Sequence, residues 1–254
     1  MTEQESPADP AQPSDERLRL TVGRGMLAGA ALLCALVLYG PIRFPTVWTG
    51  PSRDRAAVFA GLVVAAAYAV FGWLALRRRW IGNSPAFPPG ARLGLCGGLL
   101  FAVSMLGEYL VPHGERVGPW IALATFGLFF LLLFTAGFVA RLKGLGLRNA
   151  PVAAIWAALV ASECWFILLM GLYYAFLGTP QEARLLEVDQ AIADFQRSGQ
   201  ADLRAFLFGD YMGAGFFHSL LAPLLALPLG FLGGLVGSQV AQIIEEGNSG
   251  TNMI

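Results

Sequence analysis

The stretch VAAIWAALVASECWFILLMGLYYAFL, residues 152–177, decides the class of this chain. It holds one charged residue, Glu163, in a run of 26. A helix needs about 20 mostly apolar residues to cross the hydrocarbon core of a bilayer. This run is long enough to cross and to tilt or protrude.

Five further stretches of the same kind lie around it: Met26 to Ile42, Ala56 to Leu76, Leu93 to Val111, Trp120 to Ala140, and Tyr211 to Ile244. The last exceeds one crossing, so its final turns are expected beyond the membrane. Gly50-Pro51, Pro85 to Pro89, Pro119, Pro151 and Thr179-Pro180 separate the runs and mark turns or first helical positions. The expected fold is therefore all-α, a polytopic membrane bundle of six transmembrane helices with one amphipathic extramembrane helix between helices five and six.

Composition agrees. Hydrophobic residues make up 56% of the chain and charged residues 13%, and mean hydropathy is +0.60. A soluble domain of this make-up would lack polar surface to cover its core. Net charge is zero, which leaves no basic field for nucleic acid. Cys34, Cys96 and Cys164 sit in apolar runs without paired spacing and read as small hydrophobes.

Residues 1–20 are expected to be a disordered cytoplasmic tail, 21–244 the six-helix domain, and 245–254 a flexible cytoplasmic tail. The first apolar run is read as a retained span, because Tyr39-Gly40-Pro41 after it makes a poor signal cleavage site. Orientation follows the Lys and Arg count near helix ends. Ten lie on the side of the termini and seven on the other, three of those in the long fifth loop. Both termini are accordingly expected in the cytoplasm, with the first loop's Arg43, Arg53 and Arg55 as the dissent. A bacterial plasma (inner) membrane is the expected location.

The fifth loop, 178–210, is the one sizeable extramembrane segment. From Gln181 to Gln196, Leu185, Val188, Ile192 and Phe195 share one helical face, flanked by Glu182, Glu187, Asp189 and Asp194. This predicts one helix lying on the membrane or capping the bundle, or else a docking surface or lid. A second apolar stretch follows at Leu203, Phe206, Leu207 and Phe208.

Chemistry within the membrane is sparse. A charge at mid-bilayer costs at least about 2.5–3.5 kcal/mol, so an ionisable residue there is either hydrogen-bonded structure or a site. Glu163 lies about 17 Å into its span and Glu108 about 5 Å below the outer boundary. His218 lies about 10 Å deep from that same side, and His113 sits just outside the third span. These four residues, with Asp210, are expected to line one polar funnel opening outward. Their spacing matches no metal-ligand pattern and no haem pair, so no metal and no cofactor is expected.

The sixth span carries Pro223 and Pro228, expected to kink it. Gly230/Gly234/Ser238 and Gly233/Gly237/Ala241 follow as two small-residue series that let backbones approach closely. Gly94 and Gly98 repeat the pattern more weakly in the third span. These edges serve packing within the bundle, or contact with a second copy or another membrane subunit.

No nucleotide-binding fingerprint, nucleophile elbow or HExxH is present. The leading expectation is a non-enzymatic accessory or assembly subunit acting through helix and loop contacts. The alternative is a small-solute or proton-coupled transporter using Glu163.

Overall fold

The computed structural model describes residues 13–50, 52–77, 84–111 and 117–251. Among these, the elements are α1 (Pro13–Arg43), α2 (Thr46–Thr49), α3 (Ser52–Leu76), α4 (Phe87–Leu110), α5 (Gly118–Leu142), α6 (Asn149–Ala175), α7 (Pro180–Val188), α8 (Ala191–Ser198) and α9 (Leu203–Thr251). Six of them, α1, α3, α4, α5, α6 and α9, are long and apolar enough to cross a membrane. The chain is an all-α integral membrane bundle.

Its outer surface exposes Phe59, Val63, Leu99, Val103, Leu123 and Leu224, a coat that water would not tolerate and lipid covers. Trp73 marks one end of this belt, with Trp48 and Trp120 at the other; all three are exposed, as interfacial aromatics are. The two ends are called here the terminal side and the loop side, which carries α2, α7 and α8.

α6 is the axis. Its apolar window is 72% buried, against 28–39% for the other five, and it packs on α1, α4, α5 and α9. Small residues all round it make this possible: Ala150, Ala153, Ala154, Ala157, Ala158 and Ala161 are buried. Gly94, Gly97 and Gly98 of α4 lie on this alanine surface, where an added Cβ would come within 2.9 Å of Ala157 O, Ala161 Cβ and Cys164 Cβ respectively. The third-span glycines thus serve α6.

The glycines of α9 are also committed inside the chain. Gly230 and Gly234 face Ala154 and Ala150 of α6, at 2.5 and 2.6 Å from an added Cβ. Gly233 and Gly237 face the backbone carbonyls of Phe134 and Phe138 in α5, and Gly137 of α5 meets Gly230 O. Both series are covered by neighbouring helices, so these glycines are not an open edge for another subunit.

Three element boundaries differ from expectation. α1 begins at Pro13, inside the stretch expected to be a disordered tail; residues 1–12 lie outside the described residues. Acidic Asp15 and Glu16 favour its first turn. Buried Arg19 donates to the last carbonyls of α3, Ala75 O at 3.1 Å and Leu76 O at 2.8 Å, which ties that turn down. At the other end α9 runs to Thr251, past the expected start of a flexible tail, and passes through Pro223 and Pro228 as one helix.

The single helix expected over 181–196 is two. Gln190 adopts a left-handed conformation, φ 56°, and divides α7 from α8. α7 buries Glu182, Leu185 and Leu186, so Leu185 of the expected stripe faces inward while Val188 is half-buried. α8 buries nothing, and Ile192 is exposed. Residues 203–210, assigned to the loop, form the first turns of α9, because Phe206, Leu207 and Phe208 are buried against the bundle.

Candidate functional site

Towards the loop side α4, α5, α6 and α9 separate, and two cavities open between them. The deeper, of about 330 Å³, is walled by Phe101, Phe126, Phe129, Phe130 and Trp165, with Ser162, His218 and Ala222. The outer, of about 260 Å³, carries Ser104, Glu108, Tyr109, Thr125, Asp189 and Tyr211. Phe101, Phe126, Trp165 and His218 line both, so the two chambers stand end to end as one crevice. Its deep part is aromatic and its mouth polar.

His218 occupies the junction. Its ring stacks on Phe126, with centroids 5.5 Å apart at 19°, and lies 4.3 Å from Trp165. Nδ1–H donates to Ala214 O at 2.9 Å, because a carbonyl can only accept. In the mouth, the Ser104 and Thr125 hydroxyls are 2.9 Å apart.

α7 roofs the mouth, with Leu185 and, just after its last turn, Asp189 contributing to the lining. Its seating is local chemistry. Thr179 Oγ1 accepts the Glu182 N–H at 3.3 Å, while Glu182 Oε2 accepts the Gly178 N–H at 2.6 Å, a reciprocal cap that satisfies first-turn donors. Arg204 of α9 closes an ion pair on Glu182 Oε1. Arg184 donates to Tyr109 O at 2.8 Å and Glu108 O at 3.3 Å, capping the end of α4.

Asp202 fastens the start of α9. Its carboxylate accepts the backbone N–H groups of Arg204 and Ala205, at 2.8 and 3.3 Å, and the Thr46 hydroxyl of α2. Partial burial opposes ionisation here. The Thr46 and backbone hydrogen bonds and the Arg204 charge outweigh it, and hold the carboxyl below its ordinary 3.8.

The expected polar funnel is divided by this geometry. Glu108 and His218 share the crevice. Glu163 lines neither chamber; its neighbour Ser162 does. Successive helical residues are about 100° apart, so Ser162 and Trp165 can face the crevice while Glu163 turns to α1. There Gly29 makes room for it: an added Cβ would lie 2.6 Å from Glu163 Oε1. Asp210 is exposed on α9 and lines neither chamber. His113 lies outside the described residues.

The aromatic walls were not singled out from the sequence, and neither were Tyr68 and Ser219, whose side chains hydrogen-bond at 2.9 Å between α3 and α9. Phe and Trp in an apolar span look alike whether they fill a core or line a void. Tyr68 did carry a signal, a hydroxyl near mid-span.

Comparison with protein-family models, with characterised proteins and with solved structures finds no match. Fold and site by themselves define the class: a six-span integral membrane bundle with an amphipathic crevice in its loop-side half.

Proposed function

We propose that this protein takes an amphiphilic small molecule into the crevice between α5 and α9, apolar chain inward and polar head at the mouth. The observation that carries this is an aromatic chamber adjoining a mouth of hydroxyls and carboxyls across four shared wall residues. Its volume falls in the range of about 300–1,000 Å³ usual for small-molecule sites. This favours solute handling over the accessory-subunit role, since the glycine edges that motivated the latter are filled from within the chain.

A photoactivatable fatty-acyl probe in proteoliposomes tests it. Adducts are expected on Phe130, Leu221 and Leu225 and lost in Ala222→Phe. Adducts spread evenly over the lipid-facing belt, unchanged in the variant, would overturn it.

The accessory or assembly role keeps one supporting feature, the outer face of α8, where Ile192 is exposed. A photocrosslinker at Ile192 that captured no partner in native membranes would remove it. The Lys and Arg bias supports cytoplasmic termini in a bacterial plasma membrane, and a cysteine-accessibility scan of α8 against the α5–α6 turn tests that orientation.

A further inference from the structure

Glu163 stands about 21 Å along α6 from Asn149, in the middle of the span. It is 4% exposed, and its Oε1 has no hydrogen-bond partner among the described residues. No described Arg, Lys or His pairs with it either. A buried carboxyl oxygen without a partner is costly, which marks this position as a site rather than packing. Gly29 of α1 provides the space.

Beside it lies a cluster of hydroxyls. Tyr68 of α3 is 2% exposed and donates to Ser219 Oγ of α9 at 2.9 Å. The Ser162 hydroxyl lies near the same group, and Glu163 is close enough to act on it electrostatically. The cluster reaches both ways: Ser162 also forms part of the wall of the deep chamber, beside His218. Titratable groups near Glu163 are Tyr68 of α3 and Cys164 of its own helix, while α1 presents Gly29.

We propose that Glu163 is a buried proton-binding site loaded from the crevice through the Ser162 and Tyr68 hydroxyls. A hydronium ion in the crevice gives a proton to Ser162 Oγ and leaves as water. Ser162 passes its own hydroxyl proton to Tyr68. Tyr68, turning from Ser219, gives its proton to the Glu163 carboxylate. Each hydroxyl ends with the proton count it began with, and one carboxylate has become a carboxylic acid. Release runs the same steps backwards. The inference rests on where the cavity lies and is independent of whether it holds an amphiphile.

The test is infrared spectroscopy of the full chain in proteoliposomes, following the carboxylic-acid C=O band on transfer to heavy water. The native protein is expected to show a band that Glu163→Gln removes. Its isotope shift is expected to slow at least tenfold in Tyr68→Phe and in Ser162→Ala, and to keep its native rate in Cys164→Ser. No band attributable to Glu163 would overturn the site. A band exchanging at the native rate in both hydroxyl variants would overturn the route. Should Tyr68→Phe fail to fold, Ser162→Ala, which removes one oxygen, decides the same question. Acyl-probe labelling plays no part in this readout, so the two proposals fail separately.

Discussion

α5 and α9 meet on both sides of the membrane, and the two meetings are built in opposite ways. On the terminal side Gly137, Gly230, Gly233 and Gly237 bring backbone against backbone, and Arg141 Nε donates to Ser238 Oγ at 2.7 Å across the seam. On the loop side the facing residues are Phe126, Phe129, Phe130, His218 and Leu221, and a crevice lies between them. Small residues let helices close, since without water between them packing itself drives association. Large flat rings hold them apart and cannot fill every gap. The same helix pair is therefore a clamp at one end and an open jaw at the other.

Breaking the clamp should cost most. Gly233→Ala would place a methyl group against Phe134 O, where backbone must move. About 3 kcal/mol of stability is expected to go, read as a shifted unfolding midpoint in detergent. A loss under about 0.5 kcal/mol would mean the seam is looser than it looks.

Unseating the roof comes next. Arg204→Ala leaves buried Glu182 without its ion pair, a loss of about 2 kcal/mol concentrated in α7. Faster proteolysis at exposed Arg197, with the unfolding midpoint of the spans little moved, is the expected sign. If both shift together, α7 is part of one cooperative unit with the bundle.

Filling the jaw sharpens the contrast in the other direction. Ala222→Phe should weaken acyl-probe labelling at least tenfold, about 1.4 kcal/mol, while sparing the fold. A variant that misfolded as badly as Gly233→Ala would show that the crevice is not open space.

The smallest effect concerns pH. The Asp202 carboxyl titrates below its ordinary 3.8 in the folded chain, so its contribution is fully present above that value. As pH falls below 3.8 and through the folded value, the contribution is lost. Acid loosening of the first turn of α9, followed by hydrogen exchange at Arg204 and Ala205, should disappear in Asp202→Asn. Unchanged acid sensitivity would assign it to another group.

The spans were legible because a run such as 152–177 has few alternatives in lipid. The chain extended helices past the expected ends where a single contact rewarded it, as Arg19 does on α3. The fifth loop's stripe turns inward at Leu185 and Phe195, but Glu182, read as its polar flank, is buried as well. Glu182 is buried because Arg204 and the Gly178 N–H meet it, partners that no local pattern announces. The glycine series lie against α5 and α6, which no pattern along the chain names.

By itself the sequence determined a membrane bundle and the six apolar spans, because length and hydrophobicity act along the chain and lipid leaves backbone no option but helix. Tertiary structure alone decided which way each side chain faces. A span that is apolar all round carries no periodic mark of its inner face. Its rotation is set by the neighbours it packs against, and that rotation put Ser162 in the crevice and Glu163 behind it.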